Sequence, residues 1–165
     1  MTIHFVELVF RFVFYVFAGL TLEMLFSTHG IELCLALKKP LHRRVPFKYF
    51  EGFVSVYMIP LHGFGMLFLF EPLHQALLSV HWGFRYLVWA VLFSVMESFW
   101  GWFLLKTIGF YPWDYYKESR FKVFREGYTL WTLVPLWGVT GLVFEKYADL
   151  LAVLAPAAAR YILGQ

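Results

Sequence analysis

Residues 91–105, VLFSVMESFWGWFLL, are apolar enough to cross a membrane, yet they carry an acid, Glu97, near the middle. They lie inside an apolar segment from residue 83 to residue 108. That segment exceeds the roughly 20 residues that a helix needs to cross a hydrocarbon core. A charge at the centre of such a helix costs roughly 2.5–3.5 kcal/mol unless it finds a partner or water. The stretch therefore predicts a membrane-spanning helix that makes a polar contact inside the protein.

The composition of the whole chain is typical of a membrane protein. Hydrophobic residues make up 61% of the 165 residues and charged residues 15%, well below the roughly 25% of a typical soluble domain. A small soluble protein has too much surface to cover with so few charges, whereas lipid covers the outside of a membrane protein. A single cysteine, Cys34, excludes a disulfide within this sequence.

Three further apolar segments are also long enough to cross a membrane. We predict an all-α integral membrane protein, a four-helix transmembrane bundle with short interfacial helices, because segments this long lack the alternating pattern of a barrel. The chain is expected to form one transmembrane domain, residues 1–165. The predicted spans are residues 3–26, 50–70, 83–108 and 127–147. Interfacial helices are predicted at residues 28–39, 72–82 and 148–163, with a partial fifth span as the alternative for the last.

The basic residues are concentrated in two loops. Ten of the 14 lysines and arginines lie in residues 38–48 and 106–125. With four spans these loops share one side of the membrane, and the positive-inside rule predicts that this side is cytoplasmic. Both termini are then outside, in a bacterial inner membrane, and Cys34 is cytoplasmic. The charges orient the chain against anionic lipid, so the bilayer is the expected partner and no nucleic-acid partner is expected.

Four ionisable side chains inside the spans are candidate site residues: Glu97, Glu23, His62 and Arg11. Each of them either ties helices together or lines a polar cavity for a substrate, an ion or a proton. Arg11 has two candidate partners, Glu7 one helical turn before it and Glu97 on the third span. For Glu23 the alternative is that the side chain snorkels to the interface.

The segment PLHGFG, residues 60–65, predicts an irregular helix in the second span. Pro60 removes a helical hydrogen bond, and the two glycines loosen the next turn. Irregular backbone at membrane depth is tolerated only where it is buried in protein or lines a cavity. The segment therefore indicates an internal pocket, with a packing kink as the alternative. His62 has no second histidine at helical spacing and no flanking acid, so no metal and no cofactor are expected.

The stretch PWDYY, residues 112–116, is the predicted anchor of the connection between the third and fourth spans. The aromatic rings of Trp113 and Tyr115 are expected at the level of the lipid headgroups. Asp114 is expected to accept hydrogen bonds from nearby backbone N–H groups and so to pin a turn.

These motifs, in this order and spacing, resemble the membrane family called putative ABC-transporter type IV, which includes the animal transmembrane protein 229 group. The resemblance covers most of residues 15–146 and implies a multi-helix membrane protein. Its features are an acid in each of the first and third spans, PLHGFG, PWDYY and a glycine-led final span. The residues that match in that final span are Pro135, Trp137, Gly138, Gly141 and Glu145.

Three functions remain open from the sequence. The first is a small permease-like or transport-associated subunit, with Glu23, His62, Glu97 and Arg11 at a polar intramembrane site, acting with an ATPase subunit or as a homo-oligomer. The second is a structural or regulatory partner of another membrane protein. The third, less favoured, is a membrane enzyme acting on a lipid or isoprenoid, with Glu97 as acid or base. No catalytic residue is assigned.

Overall fold

The computed structural model describes residues 2–27, 52 and 54–165. The predicted interfacial helix at residues 28–39 and the basic loop 38–48, with Cys34, lie outside the described residues. Within the described part of the chain every regular element is a helix and no strand forms. The prediction of an all-α protein is therefore confirmed.

Four long helices follow one another along the chain: α1 (Ile3–Leu25), α2 (Val56–Leu77), α3 (Trp82–Ile108) and α4 (Val134–Leu163). Within the described residues, α1, α2 and α3 are long and apolar enough to cross a membrane. The fourth predicted span does not qualify by the same measure. Its helix α4 carries Glu145, Lys146 and Asp149 in the middle of its 30 residues.

The fourth helix begins later and ends later than predicted. Residues 127–133 were assigned to the span but are not helical, and α4 begins at Val134 with Pro135 in its first turn, where proline costs no hydrogen bond. The helix then continues through Pro156, so residues 148–163 are not a separate interfacial helix. Small buried side chains of this part, such as Ala155 and Ala159, pack in the interior, and this packing outweighs the hydrogen bond lost at Pro156.

The second helix is also longer than predicted. Glu71–Leu77 continues directly from the preceding helical turns, so residues 72–82 do not form an interfacial helix of their own. The extension adds the partly buried Glu71 and the buried His74 to the bundle.

The irregularity predicted at PLHGFG takes the form of a π-helix, Leu61–Phe70, which begins directly after Pro60. A π-helix is wider than an α-helix, is rare and is often found at functional sites. Two glycines bring this segment close to α1. A Cβ on Gly63 would lie 2.1 Å from the ring of Phe12, and one on Gly19 would lie 2.2 Å from the ring of His62. The His62 ring thus lies directly across the backbone of α1.

Helices α3 and α4 pack antiparallel. Glu97 contacts Trp137, and Trp89, nearer the start of α3, contacts Glu145, nearer the end of α4. The outward faces of the helices carry many exposed large apolar side chains, and such faces are suited to hydrocarbon. Examples from all four helices are Phe17, Phe68, Val91 and Val143.

Replacing Gly141 with alanine is expected to force α3 and α4 apart. The new Cβ would lie 2.2 Å from the Cβ of Trp89, an atom that cannot move without its backbone. We expect the free energy of unfolding to fall by about 1–3 kcal/mol, measured by denaturation in mild detergent. Gly65→Ala is the matched control, because its nearest neighbour is the mobile terminal methyl of Met96 at 3.0 Å. If Gly141→Ala were as stable as wild type, this close packing of α3 against α4 would be contradicted.

Candidate functional site

A cavity of about 520 Å³ lies between the four helices and the connection that precedes α4. Glu23, His62 and Glu97, three of the four candidate residues, all line it, and so do Trp113 and Tyr115 of the predicted loop anchor. Its volume falls within the roughly 300–1,000 Å³ typical of small-molecule pockets. The structure thus brings together residues that are far apart in the sequence.

The first polar pair of the cavity joins α1 to α2. His62 Nε2 lies 3.1 Å from Glu23 Oε1. The Glu23 side chain is 22% exposed, so it faces open space as well as its partner. Glu23 therefore makes a contact inside the bundle, which the absence of a Cβ on Gly19 permits.

Glu97 is held by hydrogen-bond donors from the connection and from α4. Its Oε2 accepts bonds from Thr129 Oγ1 at 2.5 Å and from Trp137 Nε1 at 3.1 Å. The hydroxyl of Tyr116 also hydrogen-bonds to this carboxyl group. The residue is only 8% exposed. Glu97 therefore ties α3 to two other elements while it lines the cavity, and nothing in the sequence pointed to Thr129 or Tyr116 as its partners.

Arg11 does not line the cavity, and both partners predicted for it are wrong. Its guanidinium lies 2.5 Å from Glu71, whose other oxygen accepts a hydrogen bond from the Tyr15 hydroxyl at 2.9 Å. Glu7 contacts His4 instead. The partner was missed because the second span was predicted to end at residue 70. The continuous helix places Glu71 across from Arg11.

A second buried polar cluster, which the sequence did not predict as a site, joins α2, α3 and α4. Glu145, 1% exposed, accepts a hydrogen bond from Trp89 Nε1 at 2.7 Å, and Arg85 Nε lies 3.3 Å from the same oxygen. His74 lies between Glu145, at 3.9 Å, and Asp149, at 2.9 Å. None of these residues lines the cavity. The presence of Glu145 in the family-like motif was the one signal for this cluster.

The connection between α3 and α4 folds inward. Tyr111, Trp113 and Tyr116 are buried in protein, so Trp113 is not presented to the headgroups as predicted. The indole N–H of Trp113 donates to the carbonyl of Tyr128 at 2.8 Å. The hydroxyl of Tyr111 donates to the carbonyl of Glu126. These two bonds fold the connection back on itself and close one side of the cavity.

Asp114 does not have the predicted role of pinning the turn. Its side chain is 62% exposed and lies 3.9 Å from Lys117. Its backbone N–H, rather than its carboxylate, bonds within the turn, to the carbonyl of Tyr111. The sequence located the turn, but the aromatic side chains hold it.

Tyr115 brings a neutral phenol to the cavity wall. Burial, followed by the nearby carboxyl groups of Glu97 and Glu23, raises the pKa of the Tyr115 hydroxyl above its ordinary value. Burial likewise raises the pKa of Tyr111. Both phenols therefore stay protonated at physiological pH, and that of Tyr111 donates its hydrogen bond to the carbonyl of Glu126.

Replacing Glu97 with leucine is expected to leave the hydroxyl of Thr129 and the indole N–H of Trp137 without an acceptor. Each unpaired buried group costs about 1–3 kcal/mol, so the free energy of unfolding should fall measurably in detergent denaturation. Glu97→Gln keeps one carbonyl acceptor and should lose less. Glu118→Gln, at an exposed position, is the control. If Glu97→Leu were as stable as wild type, the carboxyl group would not be a structural tie.

Comparisons with known proteins place this architecture in a family. A family model described as "Putative ABC-transporter type IV" matches residues 10–161. No curated protein and no solved structure matches the chain. The matched residues include the whole connection between α3 and α4 and the cavity residues Glu23, His62 and Glu97. Because the match covers nearly the whole sequence, this chain belongs to the family described as putative ABC-transporter type IV.

Proposed function

We propose that this protein is a small permease-like, transport-associated membrane subunit that binds its ligand in the cavity. The observation that carries the proposal is the convergence of Glu23, His62 and Glu97, from three helices, on one cavity of about 520 Å³. Polar residues are costly within a membrane and typically mark the path or the binding site of a transported species. Family membership and three long apolar helices support a transport-associated role.

The subunit is proposed to act with an ATPase subunit or as a homo-oligomer. The cavity between the four helices is small, so a complete path across the membrane needs further helices around it. The exposed apolar faces of α1 and α4, at Phe17 and Val143 for example, suit lipid and a neighbouring membrane helix equally well.

We also propose that the basic loops face the cytoplasm of a bacterial cell and that both termini are outside. In intact cells an impermeant maleimide should leave Cys34 unlabelled, whereas inverted membrane vesicles should label it. Ser79, exposed in the turn between α2 and α3, supplies the control. In a Cys34→Ser background, Ser79→Cys should be labelled from outside. Labelling of Cys34 in intact cells would overturn the orientation.

Filling the cavity tests the binding role. Thr140 lines the cavity, whereas its neighbour Val139 is 52% exposed on the outer face. Extracted with their native lipids, wild type and Val139→Trp are expected to retain a bound small molecule, detected by native mass spectrometry. Thr140→Trp is expected to lose it, because the indole occupies the space.

The same spectra test the transport-associated role. An ATPase subunit or a second copy of the chain should accompany wild type and Thr140→Trp, because the side chain of residue 140 lies inside the cavity and not on the outer face. Wild-type protein that carries neither a small molecule nor a partner would contradict the proposed function.

A further inference from the structure

We infer that the cavity takes an amphipathic organic cation, with its charge at the carboxyl group of Glu23 and its apolar body among the aromatic rings. This inference rests on the proposed function, since it names the class of ligand that the same cavity would bind. Three features of the described lining carry it: two acids with no lysine or arginine beside them, one acid that remains accessible, and an aromatic wall.

Acids outnumber bases in the described lining of the cavity, where His62 is the one basic side chain. Among the lining residues that the structure describes, Glu23 and Glu97 are acids and none is lysine or arginine. Two arginines of the described helices are paired with other acids, Arg11 with Glu71 and Arg85 with Glu145. Away from water an acidic charge acts more strongly than at a surface, so the cavity favours a cation and repels an anion.

The two acids are not equally accessible to a ligand. Glu97 is nearly buried, and its carboxyl group already accepts bonds from Thr129, Trp137 and Tyr116. Glu23 has one partner among the described residues, His62, and that contact is on Oε1. In its neutral form His62 donates one hydrogen bond and leaves the negative charge of the pair in place. The accessible charge is therefore that of Glu23.

The rest of the wall is apolar and rich in aromatic rings. Phe93, Trp113, Tyr116, Trp137 and Phe144 all line the cavity. Aromatic faces attract organic cations, and most strongly where water is excluded. The volume of about 520 Å³ suits a small organic molecule, and the apolar wall favours one whose charge is carried on a hydrophobic body.

Two other ligand classes fit this lining less well. A bare metal ion needs several ligating side chains, and the described residues contain no group of three or more His, Cys, Asp or Glu that could hold one. A phospholipid headgroup brings a phosphate, which is typically bound by arginine or lysine, and the described lining contains neither. A cation without an acidic group remains the best match.

The test compares two ions of the same shape and opposite charge, tetraphenylphosphonium and tetraphenylborate. Binding is measured to the full chain in nanodiscs of zwitterionic lipid, and the signal of protein-free nanodiscs is subtracted. We expect saturable binding of tetraphenylphosphonium, and binding of tetraphenylborate that is weaker by about tenfold or more, or absent. Neither ion has a hydrogen-bond donor, so this ratio reflects the attraction or repulsion between its charge and the carboxylate of Glu23.

Two glutamine variants locate the charge. Glu23→Gln should weaken the binding of tetraphenylphosphonium by about tenfold, because the attraction between the carboxylate and the cation is lost. Glu7→Gln, the same substitution on the same helix but outside the cavity lining, should bind as wild type does. Thermal unfolding of each variant checks its folding. If Glu23→Gln fails to fold, the comparison of the two ions on wild type still decides the question.

Equal binding of both ions, or preference for tetraphenylborate, would overturn the inference and leave the cavity as a binding site of another class. Unchanged binding in Glu23→Gln would also overturn it. Saturable binding of neither ion overturns the inference too, while the proposed function is judged separately by the molecule that the native protein retains and by the Thr140→Trp variant.

Discussion

The hydrogen bonds to Glu97 are the interaction on which the rest of the structure depends. A carboxyl group at this depth must be paired, because leaving it unpaired away from water costs several kcal/mol. Its donors come from two other places in the chain, Thr129 in the connection and Trp137 in the first turns of α4. The same bonds therefore fix where α4 lies against α3 and how the connection folds, and both of these elements form walls of the cavity.

The acids of the bundle have different roles because their surroundings differ. Glu97, Glu71 and Glu145 are each paired with donors or cations that hold helices together. Glu23 shares its carboxyl group with His62 and remains partly exposed to the cavity. The three fully paired acids therefore have a structural role, whereas Glu23 can still contact a ligand. The sequence alone showed only that these acids occur within apolar segments.

Hydropathy predicts much of the fold, but it predicts less of the candidate site. Segment length and apolar composition located all four helices, and Pro60 with its two glycines located the irregular turn at the cavity. Helix ends were harder, since packing of small side chains extends α4 through Pro156, and a continuous backbone extends α2 beyond residue 70. A helix end predicted too early also leaves contacts unpredicted. The clearest case is the pairing of Arg11 with Glu71, one residue beyond the predicted end of the second span.

The loop anchor shows why the hydrogen-bond partners in a turn are harder to predict than the position of the turn. The motif PWDYY indicates a turn, and a turn is present. Which side chain holds it depends on which one is buried, and this follows from the packing of the connection against α3. Trp113 is buried and makes the bond, whereas Asp114 faces outward. Likewise, the convergence of Glu23, His62 and Glu97 depends on how three helices pack together.

An experimental structure of the protein in its native lipids would test most directly whether the three polar residues form one ligand site. Our account predicts non-protein density in the cavity, in contact with the carboxyl group of Glu23 and enclosed by the ring of Trp137. Helices packed so closely that the space between Glu23 and Trp137 is filled by protein side chains would contradict it.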